Sequence, residues 1–333
     1  MKYSTFELKN PITHPFFFWP ETLVSFAADD AIPAVQDENG KRYNCQTYEG
    51  KIHFLSGLNC GEHKIFTPAE DGTETKIRYR EAEDFIIVDN HKFKLKIPKS
   101  RRLSGTDSSV LLFETASDFH AAARLRQCSF QLLETEILAK GDVFFKVRLS
   151  VKNADSSYSM VITVVYDYDF VSVDENMRNM EGSCLEISTE DLLPEHWHAT
   201  TWPDDYWERR SDKYGDYDWR STREPFVIPF NGEDPAFFNI PDDPDAFQVR
   251  LGAYVPFFAY SVRPCASFWN QNGASLGFFI TEHANWDEGD YTIWGSSERI
   301  DGRFYYKKDV FTAKFALNGN SRSFGMAIYH RDL

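Results

Sequence analysis

The sequence predicts an all-β fold with two modules. We expect a small N-terminal β-barrel or sandwich over residues 1–83 and a large antiparallel two-sheet sandwich over residues 84–333. Three observations support this prediction: apolar and polar residues alternate in many segments, helical periodicity is nearly absent, and glycine-containing turn sequences separate the alternating segments. A chain of 333 residues suits two domains or one large all-β domain.

The alternation is clearest in the segments Lys92–Ile97 and Phe144–Lys152, where charged or polar residues separate the apolar ones. A third alternating segment runs from Met160 to Phe170. One apolar and one polar face are typical of strands in antiparallel sheets. Later segments with the same pattern are Gln248–Pro256, Leu276–Thr281, Phe311–Leu317 and Ser323–His330.

Turn sequences agree with this interpretation, and helices are few. Only Asp118–Gln127 and Asp204–Arg210 are helix candidates. No repeat of fixed period is present, which disfavours a propeller or solenoid. The predicted hairpin connections are Glu38-Asn39-Gly40, Asp71-Gly72, Asn272-Gly273, Glu288-Gly289, Asp301-Gly302 and Asn318-Gly319.

Charge and cysteine content exclude several classes of protein. The 36 Lys and Arg residues against 51 Asp and Glu residues give a net charge of −15, so the chain repels phosphate backbones and nucleic acid is not an expected partner. The five cysteines are scattered and form no C-x-x-C pair. We therefore expect separate buried thiols instead of a disulfide framework or zinc site, with a Cys45–Cys60 bridge as the alternative in an exported protein.

The N-terminus predicts neither a signal peptide nor a membrane span. No basic segment precedes a long apolar run, and no apolar stretch reaches the roughly 18 residues that a transmembrane helix needs. We expect no membrane partner and a cytoplasmic location for the chain as given, or export if a signal has been removed.

A short pattern near the N-terminus resembles a known family. In residues 23–66 the pattern consists of Pro33, Gln36, Gly40, Gly61 and Glu62. It looks like the small β-module that begins several large carbohydrate-active enzymes. The rest of the chain resembles the galactose-mutarotase-like super-sandwich that follows such modules, for example in exo-acting rhamnogalacturonan lyases. An α/α toroid usually follows in those enzymes, so the resemblance implies a missing C-terminal helical catalytic domain as a partner.

The segment Glu195–Pro225 is the strongest functional signal. It holds four tryptophans, three tyrosines, two histidines and many charged residues, with no regular apolar period. Long irregular segments inside compact domains are usually functional or disordered, and disordered chains are poor in aromatics. Aromatic faces beside charged side chains suit sugar rings and their hydroxyls. The segment therefore predicts a carbohydrate ligand, and Glu282–Ser297 is a second candidate region of the same kind.

Two kinds of carbohydrate cleavage fit these segments. A lyase acting on uronates needs a base and a cation that neutralises the carboxylate, whereas a hydrolase needs two carboxylates. The candidate catalytic residues are His196, His198, Tyr206, Glu208 and Arg209. The candidate substrate-binding residues are Trp202, Trp207, Arg210, Tyr217, Trp219, Trp286, Tyr291 and Trp294.

Alternatives to an enzyme stay open at this point. His196-Trp197-His198 could contribute to a mononuclear metal site, but nothing fixes a third ligand, so we expect no metal and no cofactor. A different class is a non-catalytic carbohydrate-binding or scaffolding module of a larger polysaccharide-degrading enzyme. A third is a structural interaction protein, for example a homo-oligomer with aromatic loops at its interface.

Overall fold

Every regular element that the structure describes is a β-strand, which confirms the all-β prediction. The structure, a computed structural model, describes residues 5–11, 19–28, 30–74, 76–103, 109–115, 120–189, 196–199, 238–239, 250–251, 265–269, 274–280, 302–307, 310–317 and 321–330. Within these ranges there is no helix long and apolar enough to cross a membrane.

The first seven strands form two small sheets around one core. The strands are β1 (Phe6–Lys9), β2 (Trp19–Ala27), β3 (Ala34–Asp37), β4 (Arg42–Asn44), β5 (Gln46–Tyr48), β6 (Lys51–Leu58) and β7 (His63–Ala69). One sheet has the order β1-β7-β3-β4 and the other β2-β6-β5. Phe54 and Phe66, one from each sheet, pack with ring centroids 4.9 Å apart. Alternate residues of β6 point into this core, because Ile52 and Phe54 are buried and their neighbours are not.

The remaining strands form two large antiparallel sheets. They are β8 (Arg78–Glu81), β9 (Phe85–Asp89), β10 (Phe93–Pro98), β11 (Arg101–Arg102), β12 (Ser109–Thr115), β13 (His120–Arg126), β14 (Leu132–Lys140), β15 (Phe144–Lys152), β16 (Ser157–Val165), β17 (Phe170–Arg178), β18 (Cys184–Thr189), β19 (His196–Ala199), β20 (Phe238–Asn239), β21 (Arg250–Leu251), β22 (Cys265–Trp269), β23 (Ala274–Ile280), β24 (Gly302–Lys307), β25 (Val310–Ala316) and β26 (Ser321–His330).

One large sheet has nine strands and the other has ten. Their orders are β21-β24-β25-β18-β13-β12-β10-β9-β8 and β11-β14-β15-β16-β17-β26-β23-β22-β19-β20. A single apolar core contains fully buried residues of both sheets, such as Leu95 and Phe315 from the first and Val147 and Phe278 from the second. The division at residues 83 and 84 stays a prediction; β8, which precedes it, pairs with β9 in the nine-stranded sheet.

Several alternating segments of the sequence form strands, whereas most of Gln248–Pro256 lies outside the described residues. β15 begins at Phe144 and ends at Lys152, as predicted, and β10 covers the predicted strand at Lys92–Ile97 within one residue at each end. The third segment is shorter than predicted. β16 ends at Val165, because Asp167 takes a left-handed conformation (φ 59°) that turns the chain into β17.

The prediction of a helix at Asp118–Gln127 is wrong, because these residues contain strand β13. Ala121, Ala123 and Leu125 alternate toward the core, and β13 pairs with β12 on one side and β18 on the other. Pairing on both edges outweighs the helix propensity of an alanine-rich sequence. The other helix candidate, Asp204–Arg210, lies outside the described residues.

Some predicted turns are hairpins and others are crossings between sheets. Gly40, with φ 81°, closes the β3–β4 hairpin as expected. The prediction of hairpins at Asp71-Gly72 and Asn318-Gly319 is wrong. The first turn connects β7 with β8 and the second connects β25 with β26, and in both cases the two strands belong to different sheets. Asn272-Gly273 lies between the paired strands β22 and β23, and Gly302 is the first residue of β24. Glu288-Gly289 lies outside the described residues.

A buried ion pair joins the two central strands of the ten-stranded sheet. Glu175 and Arg322 face each other across β17 and β26, and the arginine Nε donates to the carboxylate. The hydroxyl of Tyr158 donates to the same carboxylate, and the guanidinium carbon lies 5.9 Å from the ring centroids of both Phe315 and Phe324. Burial first, and then the charge of Glu175, raises the pKa of Tyr158 well above its ordinary value.

We expect Arg322→Ala to destabilise the protein by about 3–5 kcal/mol, because it leaves the Glu175 carboxylate buried without its cation. Denaturant unfolding measures this change. Arg148→Ala is the matched control, since Arg148 pairs with Glu136 at 2.9 Å on the exposed surface and should cost less than about 1 kcal/mol. Equal losses for the two variants would contradict the assignment.

Cys45, Cys60 and Cys128 carry free thiols, so Cys45 and Cys60 are not bridged. Burial raises the pKa of Cys45 to about 12 and that of Cys128 to about 11. Iodoacetamide reacts with the thiolate, so modification of Cys45 should keep rising about tenfold per pH unit between pH 8 and 11. Peptide-resolved mass spectrometry measures the rate, and a plateau near pH 9 would contradict the buried environment.

Candidate functional site

The small and the large modules meet at the turn between β14 and β15. The side-chain oxygen of Gln46, in β5, accepts hydrogen bonds from the backbone N–H of Phe144 at 2.8 Å and of Val143 at 3.3 Å. Gly141 passes so close that a Cβ there would lie 2.4 Å from the Gln46 side chain. A buried amide between two backbone donors therefore fixes the position of this turn against the small module.

Apolar packing and a second hydrogen bond complete the junction. Leu23 and Leu55 of the small module pack on the buried residues Val143 and Phe144 of the large module. Tyr168 joins this cluster, and its hydroxyl accepts a hydrogen bond of 2.6 Å from the backbone N–H of Leu23. Burial raises the pKa of Tyr168, which keeps its hydroxyl neutral.

Asn90 ties the two sheets of the large module together at the same end. Its side-chain amide donates to the carbonyls of Val165 at 3.0 Å and Tyr168 at 2.8 Å, in the β16–β17 turn. Its side-chain oxygen accepts from the backbone N–H of Lys92 and Phe93 in its own β9–β10 turn. Because Asn90 is fully buried, these four bonds hold both turns in place beside the junction.

A cleft of about 220 Å³ opens along this junction. Its walls come from both modules and combine charged side chains of each sign with two tyrosines. The lining residues are Glu21, Lys41, Arg42, Tyr43, Asn44, Leu55, Thr73, Asp142, Val143 and Tyr166. The volume lies below the roughly 300–1,000 Å³ of a pocket for a drug-sized ligand, so the cleft suits a small polar group or one unit of a longer chain.

A histidine–carboxylate pair lies next to the cleft. Nδ1 of His91 is 2.7 Å from the carboxylate of Asp167, and the His91 ring stacks on the ring of Tyr166 with centroids 6.0 Å apart. Both His91 (φ 84°) and Asp167 (φ 59°) have left-handed backbone conformations, which are uncommon outside glycine. The ammonium of Lys92 is 3.8 Å from the same carboxylate.

The chemistry available here is hydrogen bonding, ring stacking and proton transfer. Asp167 orients the imidazole of His91 through Nδ1. Because the His91 side chain is 66% exposed, its other ring nitrogen, Nε2, can exchange a proton with a ligand. Burial and then the charge of Asp167 raise the pKa of Tyr166, so its hydroxyl stays protonated. In the part of the chain that the structure describes, no group of three or more His, Cys, Asp or Glu side chains could hold a metal ion.

Two of the predicted catalytic residues, His196 and His198, belong to strand β19. The pairs His196–Trp269, Trp269–Ser275 and Ser275–Tyr329 run across neighbouring strands toward β17, where Phe170 pairs with Ala327. His196 therefore lies at the same end of the ten-stranded sheet as the β16–β17 turn. Four strand spacings separate β19 from β17, which is about 19 Å.

The other predicted site residues lie outside the described residues. They are Tyr206, Glu208 and Arg209 among the catalytic candidates, and Trp202, Trp207, Arg210, Tyr217, Trp219, Trp286, Tyr291 and Trp294 among the substrate-binding candidates. The structure therefore brings together a different set of residues. Whether the predicted residues outside the described ranges belong to a site stays a prediction.

The residues of the cleft were not predicted from the sequence. Lys41–Asn44 follow the Gly40 turn, and their role depends on a module boundary that only the fold defines. Tyr166 and Asp167 were assigned to a strand because the alternating pattern continues through them. A usable signal was the sequence Asp89-Asn90-His91, in which turn-forming residues follow an apolar strand.

Comparisons with known proteins give structural likeness only. No family model matches the chain, and no curated protein matches it. A solved structure of a protein in glycosyl hydrolase family 38 from Enterococcus faecalis has 8% identity and a TM-score of 0.47, over 99% of this chain and 45% of that one. An alpha-mannosidase from Enterococcus faecalis V583 has 7% identity and a TM-score of 0.49, over 99% and 43%.

This chain thus spans less than half the length of both solved proteins. With TM-scores below 0.5 and identities below 10%, the likeness assigns the chain neither a family nor an activity.

We expect Gln46→Ala to lower the free energy of unfolding by about 1–3 kcal/mol, because the backbone N–H groups of Val143 and Phe144 lose their acceptor. Urea denaturation gives the value. Gln131→Ala changes an exposed glutamine and should stay within about 0.5 kcal/mol of the parent protein. A neutral Gln46→Ala variant would show that this amide does not hold the junction.

Proposed function

We propose that this protein binds carbohydrate and that one sugar unit occupies the cleft between the two modules. The observation that carries the proposal is the combination of the Tyr166 side chain with Lys41, Arg42 and Glu21 along one cleft. Tyr43 also lines the cleft, but its ring is buried in the core of the small module, so Tyr166 is the aromatic surface for a sugar ring. Sugar rings present apolar faces and a ring of hydroxyls. Stacking surfaces and fixed hydrogen-bonding groups are therefore the features that recognise them.

The charge balance of the cleft supports hydrogen bonding as the main mode of recognition. Glu21 and Asp142 supply hydrogen-bond acceptors, while Lys41 and Arg42 supply donors. A sugar hydroxyl, which both donates and accepts, therefore finds partners of both kinds. Lys41 and Glu21 are 4.0 Å apart and both are more than half exposed, so their ion pair is weak and both groups can turn to a ligand.

Cleavage of the bound carbohydrate, by a lyase or a glycoside hydrolase, is the finer hypothesis. The pair His91–Asp167 next to the cleft favours it, since a carboxylate-oriented imidazole is a common proton-transfer group. The galactose-mutarotase-like architecture and the roles of His196 and His198 belong to the same hypothesis. The alternative is a non-catalytic binding module, in which these side chains affect affinity alone.

The binding proposal predicts that Tyr166→Ala weakens binding of a recognised oligosaccharide about 2- to 12-fold, the equivalent of roughly 0.5–1.5 kcal/mol for one aromatic contact. A panel of neutral and uronate-containing oligosaccharides is first screened by thermal shift. Isothermal titration calorimetry then compares the variant with the parent protein. Unchanged affinity for Tyr166→Ala would contradict the placement of the ligand.

Tyr79→Ala is the matched control, because Tyr79 is a 40% exposed tyrosine of the large module that does not line the cleft. Its affinity should equal that of the parent protein. Product analysis of the same panel separates the finer hypotheses. Unsaturated uronate products indicate a lyase, new reducing ends without them a hydrolase, and binding without products a binding module.

A further inference from the structure

A serine and a histidine are paired on the face of the β2-β6-β5 sheet that points away from the core of the small module. Ser25 in β2 and His53 in β6 are directly paired in the sheet, and Oγ of Ser25 lies 2.7 Å from Nδ1 of His53. Ser25 is exposed. On the other side of the imidazole, Nε2 lies 3.2 Å from the backbone carbonyl oxygen of Tyr48. The ring therefore bridges a hydroxyl and a carbonyl.

The partners decide which ring nitrogen carries the proton. A carbonyl oxygen only accepts hydrogen bonds, so Nε2 of the neutral imidazole must carry the proton and donate it to Tyr48. Nδ1 then holds the lone pair and accepts the hydroxyl proton of Ser25. A hydroxyl that donates to a correctly oriented imidazole is the arrangement that activates a serine nucleophile.

The junction between the modules holds the imidazole in this orientation. The ring of Phe144 packs against the His53 ring at 78° with centroids 5.3 Å apart, and the Tyr48 ring lies 6.3 Å away. Gln46, which binds the backbone of Phe144, is also the β5 residue paired with His53. The base is therefore packed by the same contacts that join the two modules.

Positive charge and the cleft both lie near the pair. Lys51 is two residues from His53 on the same face of β6, and the ammonium of Lys146 lies 5.4 Å from the centroid of the Tyr48 ring. Leu55, which lines the cleft, is also two residues from His53 on that face, a distance of about 7 Å along the strand.

We propose that Ser25 is the nucleophile of an esterase centre that hydrolyses small acyl esters, with His53 as its general base and the Tyr48 carbonyl as the positioning group. This activity goes beyond carbohydrate binding and does not require it. Where the ligand is an O-acylated sugar, the cleft would hold the sugar and the serine would remove the acyl group.

The reaction is a two-step acyl transfer. Oγ of Ser25 forms a bond to the ester carbonyl carbon while its proton moves to Nδ1 of His53. The bond between that carbon and the alkoxy oxygen then breaks, and the leaving oxygen takes the proton from His53. Water attacks the acyl-serine by the same route, which releases the carboxylic acid and restores Ser25. One ester and one water thus give one acid and one alcohol.

The test uses the full chain with 4-nitrophenyl acetate and with a fluorophosphonate probe. We expect hydrolysis above the rate of free imidazole at the same concentration, and a fluorophosphonate adduct that peptide mapping places on Ser25. Ser25→Ala should abolish both signals, and His53→Gln should lower the hydrolysis rate about 100-fold or more. Thermal unfolding checks that the exposed Ser25→Ala change leaves the fold intact.

Ser100→Ala is the matched control, because Ser100 is an exposed serine whose hydroxyl contacts the backbone of Thr135 instead of an imidazole. This variant should keep the full rate and the adduct on Ser25. A full rate in Ser25→Ala, or an adduct distributed equally over Ser25 and Ser100, would overturn the proposal. Neither result bears on oligosaccharide affinity, which the calorimetry tests separately.

Discussion

The contact between the Gln46 side chain and the β14–β15 turn is the interaction on which the junction between the two modules depends. One amide oxygen binds two backbone donors, those of Val143 and Phe144, in a buried setting where losing either bond is costly. This contact holds Val143, which lines the cleft, against the small module. It also supports Phe144, the residue that packs on the His53 ring.

The large module contributes rigidity at the same end. Asn90 fastens the β9–β10 turn to the β16–β17 turn, which carries the cleft residue Tyr166. His91 and Asp167 take left-handed conformations next to this buried amide. Such conformations persist where the surroundings fix them, and they cluster at functional sites. The Glu175–Arg322 pair differs from these exposed turn residues, because it lies inside the large module among core residues.

Much of the fold follows from local pattern, and little of the site does. Alternation was sufficient to predict β15 residue by residue, because one face of this strand is buried along its whole length. The helix prediction at Asp118–Gln127 failed, because pairing with strands on both sides decides the conformation there. The cleft could not be predicted from local sequence pattern. Its residues come from distant parts of the chain, such as Arg42 and Tyr166, and only packing of the two modules makes them neighbours.

Hydrogen–deuterium exchange of the full chain, with and without a bound oligosaccharide, tests the central claim most directly. The account predicts slower exchange in the peptides that contain residues 41–44 and 142–143, which line the cleft from opposite modules. It predicts no change in the peptides around Glu175 and Arg322, which lie in the core. Protection confined to residues 195–225 or 282–297, with none at the junction, would contradict the account and place the ligand elsewhere.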